Sequence, residues 1–126
     1  MSLKIDIENL NDLLMNLEST SGIFGTCLVR NNGIIITSRL STDIDSRKFG
    51  AMAATMFASI ETATKTLENP NINSLTVEFT NEYQLIVLKA AEQILLVALI
   101  GLNVNLGLIL IEIEETIKKI KETLEE

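Results

Sequence analysis

With 126 residues, 47% of them hydrophobic, the chain has the size of a single domain spanning 1–126 that buries roughly two-thirds of its unfolded surface. Ten Lys and Arg against seventeen Asp and Glu leave a net charge of −7, and the cations form no stripe with interleaved aromatics, which argues against nucleic-acid binding. One cysteine and no histidine exclude an intrachain disulfide, a thiol-pair metal site and His-activated nucleophilic chemistry, and a reducing, cytoplasmic setting is expected.

The N-terminus shows no basic region followed by an apolar stretch and a small-residue cleavage site, so no secretory signal is expected. From Ile5 to Leu17, Leu10, Leu13, Leu14 and Leu17 recur at helical spacing between Asn9, Asn11, Asp12 and Asn16, which predicts a short amphipathic helix. Ser19 to Gly22 ends it. Ile23 to Arg30 reads as a strand with Cys27 as a small core residue, and Gly25 marks a close backbone approach. Asn31-Asn32-Gly33 then signals a hairpin with a type I′ turn, and Ile34 to Arg39 is the return strand, with one partly polar face.

The longest element is expected from Asp43 to Leu67, capped by Thr42 or Asp43 and about six turns long. Phe49, Met52, Met56, Ile60, Ala63 and Leu67 form a stripe that should pack on a sheet. On the opposite side Gly50, Ala51, Ala54, Ala58 and Thr62 make a flat face of small residues that lets a second backbone come close, although the helix propensity of alanine alone also accounts for such a face.

Glu68-Asn69-Pro70-Asn71 breaks the helix, and Leu75 to Thr80 follows as a strand with Leu75, Val77 and Phe79 inward and Thr76, Glu78 and Thr80 outward. Tyr83 to Lys89 and Gln93 to Ile100 are apolar on both faces, as expected of central strands covered above and below. Ile94 to Ile111 is an uncharged run as long as a membrane span, but Gly101, Asn103, Asn105 and Gly107 divide it into strand, turn and helix, so no membrane insertion is expected. In the last helix Ile109, Ile113, Ile117, Ile120 and Leu124 make the buried stripe. Glu112, Glu115, Lys118, Lys119 and Glu122 lie opposite, with Glu114 to Lys118 and Glu115 to Lys119 as favourable pairs.

The predicted architecture is α/β (α+β): a five-stranded antiparallel sheet in the order α-β-β-α-β-β-β-α, the long middle helix on one face and the two terminal helices on the other. The first meander strand, Leu75 to Thr80, is then an edge with unpaired backbone groups. Pairing it with the same strand of a second molecule across a two-fold axis closes the edge and brings the two small helix faces together. A homodimer is therefore expected. Its contacts should come from Gly50, Ala51, Ala54, Ala58 and Thr62 on the helix, and from Leu75, Thr76, Val77, Glu78 and Phe79 on the edge.

The stretch Ile23-Phe24-Gly25-Thr26-Cys27-Leu28-Val29-Arg30-Asn31-Asn32-Gly33-Ile34-Ile35, the strand pair around Val77-Glu78-Phe79 and Leu85-Ile86-Val87-Leu88, and the helix entry Asn105-Leu106-Gly107-Leu108 together resemble the Roadblock/LC7 family, whose fold is related to profilin-like and longin folds. The resemblance runs from about Leu10 to Leu124 and rests on the order and spacing of all the elements. It implies a non-enzymatic homodimer that pairs third strands, sets its long helices side by side, and regulates or scaffolds a small Ras-like GTPase, with any stimulated hydrolysis arising from repositioning of the partner's own residues. It also admits a structural light-chain dimer of the kind found in the dynein motor.

The residues themselves offer no P-loop and no Cys cluster, and Arg47 on the long helix reads as a surface residue, so no catalytic, cofactor or metal residues are expected. A small-molecule-sensing module is the remaining alternative. It needs an enclosed pocket, and Phe24, Phe49, Phe57, Phe79 and Tyr83 are few aromatics with which to line one.

Overall fold

The computed structural model describes residues 6–68 and 71–125. The expected helix start at Ile5 and the breaker residues Asn69 and Pro70 lie outside them. The elements are α1 (Ile7–Glu18), β1 (Ile23–Arg30), β2 (Ile35–Arg39), α2 (Ser46–Ala63), β3 (Ser74–Glu78), β4 (Tyr83–Ala91), β5 (Ile94–Gly101) and α3 (Leu106–Glu125). All five strands form one antiparallel sheet in the order β2-β1-β5-β4-β3, so the hairpin and the meander meet where β1 pairs with β5, and β2 and β3 are its edges.

Local chemistry sets the element ends. The Asp6 carboxylate accepts the Asn9 N–H at 3.0 Å and caps α1, and Asp45 does the same for α2 through Lys48 N–H at 3.3 Å. At the β1–β2 turn only Gly33 has a positive φ, +90°. The Gly33 N–H reaches the Arg30 carbonyl at 2.8 Å and the Arg30 N–H reaches Ile34 at 2.9 Å. This is a three-residue loop closed by a left-handed glycine, not the two-residue type I′ turn expected, because Asn32 stays at negative φ and its side-chain oxygen accepts the Ile34 N–H instead.

Two cores lie on the two sides of the sheet. Leu10, Leu14 and Leu17 of α1 and Ile109, Ile113 and Ile120 of α3 pack on Leu28, Leu96 and Ile100. On the other side α2 sets Ala53, Ala54 and Phe57 against Cys27, Val29, Val87, Leu95 and Val97. The expected placement of middle and terminal helices is therefore the observed one.

Helix α2 departs from expectation in length and in rotation. It ends at Ala63 with Thr64 as its C-cap, and the chain continues as turns. Its buried residues are Gly50, Ala53, Ala54 and Phe57, whereas Met52, placed in the buried stripe, is 63% exposed, and Ile60 and Leu67 are exposed too. The cause is close approach. A Cβ on Gly50 would collide with Ile35 Cδ1 and press on Val29 Cγ2 at 3.3 Å, so the sheet supplies the bulk and the helix supplies small residues at the contact. Among the described residues no helix is long and apolar enough to cross a membrane.

Candidate interface

Two features make the candidate site. The first is the edge of β3. Its five residues pair with β4 from Ser74↔Leu88 to Glu78↔Gln84, and among the described residues nothing pairs with its other edge. Leu75 and Val77 are half-buried and pack against the α2-side core, while Thr76 and Glu78 are exposed. Phe79 lies just past the strand, its N–H bonded to the Tyr83 carbonyl at 2.9 Å, and is 38% exposed where an inward side chain was expected. The strand ends one residue too early to turn it under the helix, and Glu82, at φ +79°, carries the chain round into β4.

The second feature is the outer surface of α2. Ala51, Ala54, Thr55, Ala58, Ser59, Thr62 and Ala63, together with Asn31–Gly33 of the hairpin, line a groove of about 590 Å³. Gly33 makes the hairpin's approach to the helix possible: a Cβ there would lie 3.3 Å from the Ala51 Cα. The Thr55 hydroxyl donates to its own Ala51 carbonyl at 2.8 Å, so the groove wall needs little from water, and an approaching backbone meets methyl groups.

Of the five helix residues read from the sequence as a contact face, Ala51, Ala58 and Thr62 are exposed along this groove. Ala54 forms the groove floor, with only 3% of its surface exposed, and Gly50 turns inward onto the sheet. Sequence reasoning missed Thr55 and Ser59. The spacing Ala51, Ala54, Thr55, Ala58, Thr62 is that of one helical face, from which Gly50 departs.

The chemistry available is that of a contact surface. Among the described residues no group of three or more His, Cys, Asp or Glu side chains is arranged to hold a metal ion. Cys27 is fully buried, and burial pushes its thiol up to about 12, so it stays protonated and unreactive. Arg47 is exposed beside a second shallow groove with Ile34, Ile35 and Lys48. The far end of α2 is tied to β4 by the Glu61–Lys89 ion pair at 3.4 Å.

A family model described as the Roadblock/LC7 domain matches residues 9–99. Two uncharacterised proteins of Methanocaldococcus jannaschii are similar in sequence. One is 31% identical over 109 residues, covering 86% of this chain and 94% of its own, and the other is 30% identical over 116 residues, covering 91% and 97%. Among solved structures, Myxococcus xanthus MglB superposes with a TM-score of 0.88 at 18% identity over 95% of this chain and 98% of its own. A Roadblock/LC7 domain from Streptomyces avermitilis gives 0.81 at 17% identity over 90% and 96%. An MglB described as having a tetrameric arrangement gives 0.83 at 15% over 94% and 90%.

Proposed function

The chain belongs to the Roadblock/LC7 domain family, and on that premise we propose that it is a cytoplasmic homodimer, one domain per chain, that regulates or scaffolds a small Ras-like GTPase without catalysing a reaction itself. The observation that carries the reading is the open edge of β3, with the exposed small-residue face of α2 as a second surface. In this reading Ser74 to Glu78 of two copies pair across a two-fold axis with Phe79 beside them, and Ala51, Thr55, Ala58 and Thr62 form the second contact. A solved relative in fold that is described as a tetrameric arrangement supports self-association. A structural dimer within a larger assembly would use the same edge and differ in being indifferent to the partner's nucleotide.

The test is the solution mass by light scattering over a hundredfold range of concentration, followed by titration of a Ras-like GTPase loaded with GTP or GDP. A steady mass of twice 13.9 kDa and nucleotide-dependent binding are expected. A monomer throughout removes the dimer, and equal binding to both nucleotide forms, or none, removes the GTPase regulator. Phosphate release during the titration separates stimulation of hydrolysis from scaffolding.

A further inference from the structure

The end of the sheet away from the β1–β2 hairpin carries a feature that neither the dimer nor the GTPase reading uses. β1 lies inside the sheet, paired on both sides, yet its Phe24 is 58% exposed. The cause is local. Ile23 pairs with Ile100 and Gly25 with Leu99, so Phe24 is the extra residue of a β-bulge, the device by which a strand re-aims one side chain. Its ring reaches Gly101, where a Cβ would stand 3.3 Å from Phe24 Cε2, and meets Tyr83 edge to face with the centroids 5.4 Å apart. Tyr83 is itself 37% exposed. Glu82, the residue before it, holds a φ of +79°, uncommon for a residue with a side chain, and its carbonyl accepts the Leu102 N–H at 2.9 Å. A bulge, a glycine and a left-handed turn thus combine to hold two aromatic rings at the surface.

The geometry points to this aromatic pair as the docking place of an arginine-bearing segment of a partner protein. Charge complementarity selects the cation. The strand ends that meet here belong to residues 19–29, 66–88 and 90–117, and those stretches contain seven Glu and not one of the chain's ten Lys and Arg. Glu78 and Glu82, beside Phe79 and Tyr83, are exposed. Arg39, at the same end of the neighbouring β2, is paired with Glu18 at 2.7 Å. An incoming cation therefore meets ring surfaces and carboxylates, and no like charge on these strands. The rings select the guanidinium among cations: it is planar, stacks on an aromatic face, and is more weakly hydrated than an ammonium. The same carboxylates repel a phosphate backbone, which disfavours stacked bases as the occupant. Phe24 and Tyr83 belong to one protomer, so the site stands whether or not the β3 edges pair.

Tyr83 is the single tyrosine of a chain without tryptophan, so its fluorescence reports on this site alone. The experiment selects binders of the intact chain from a phage-displayed library of random peptides free of Tyr and Trp. The enriched sequences are then titrated as synthetic peptides at physiological salt while Tyr83 emission is followed. Each peptide is compared with versions carrying Lys, or citrulline, which keeps the shape of arginine and loses its charge. The wild type is compared with Phe24→Leu, which keeps apolar bulk and removes a ring. Circular dichroism checks that the variant folds; if it does not, the citrulline comparison on the wild type decides. The expected result is enrichment of arginine, a change in Tyr83 emission on binding, and affinity about tenfold weaker with citrulline and about threefold weaker in Phe24→Leu, with Lys between Arg and citrulline. No enrichment, enrichment of apolar peptides without arginine, citrulline or Lys bound as tightly as Arg, Tyr83 emission unmoved by a bound peptide, or an unchanged affinity in a folded Phe24→Leu would each overturn the inference.

Discussion

The two sides of the sheet solve burial in opposite ways. On one, α1 and α3 drive long branched side chains into the strands, and Leu10, Leu14, Ile109, Ile113 and Ile120 are at most 2% exposed. On the other, a single helix presents Gly50, Ala53 and Ala54 and one large residue, Phe57, and leaves Met52 and Ile60 in solvent. That helix covers only part of the sheet: at its far end Phe24 rests against Tyr83, edge to face at 5.4 Å, with Phe24 largely exposed above Gly101. A side closed by two helices stabilises the protomer. A side half-closed by a close-lying helix of small residues leaves apolar surface exposed.

The largest effect that would test this difference is deletion of bulk on the closed side. Ile113→Ala should lower the unfolding free energy in urea by about 2–5 kcal/mol, since a fully buried side chain is lost between helix and strands that cannot collapse on it. A loss below about 1 kcal/mol would mean that the two sides do not differ as argued. On the half-closed side the danger is the reverse, added bulk. Gly50→Ala gains helix propensity, yet its methyl would collide with Ile35, and a net destabilisation of about 1–3 kcal/mol is expected. Gly107→Ala, where the nearest neighbour of a new Cβ is Asn105 Oδ1 at 3.6 Å, should be neutral or stabilising and serves as the control.

These substitutions also show what the sequence made legible. The strands were readable because alternation and glycine speak directly of sheet and turn. β1 begins and ends where its pattern does, and the edge position of β3 follows from the order of elements. The rotation of α2 was not readable, because a rule that sends large residues inward fails when the partner surface already holds Ile35, Val29 and Leu95. Gly50 was placed on the outer face for that reason. The end of α2 was overshot because Lys65, Thr66 and Leu67 keep a helical pattern with nothing beneath Leu67 to reward it. Phe79 was lost to a strand that stops at Glu78.

Both sides of the sheet are nonetheless dry, which pH can test. The Cys27 thiol lies under α2, and its burial raises the pKa from 9.0 to about 12. The neutral thiol is favoured in the fold, so this contribution is complete below pH 9 and is lost as pH rises towards 12. The stability difference between wild type and Cys27→Ala should shrink by about 1.4 kcal/mol for each pH unit across that window. A difference independent of pH would indicate water at the thiol.

The smallest expected effects on folding are the most informative about the open side. Met52→Ser removes a side chain 63% exposed, and Ala58→Glu adds charge to the groove wall, so each should leave protomer stability within about 0.5 kcal/mol. Ala54→Glu would not serve, because that residue is buried and its substitution would unfold the helix contact instead. If the outer faces of α2 meet across a two-fold axis, Ala58→Glu sets like charges close together in a desolvated contact and should weaken dimerisation at least about tenfold, read as a fall in mass at micromolar concentration. An unchanged mass would leave β3 as the association element and move the open face of α2 from self-contact to the surface offered to another protein.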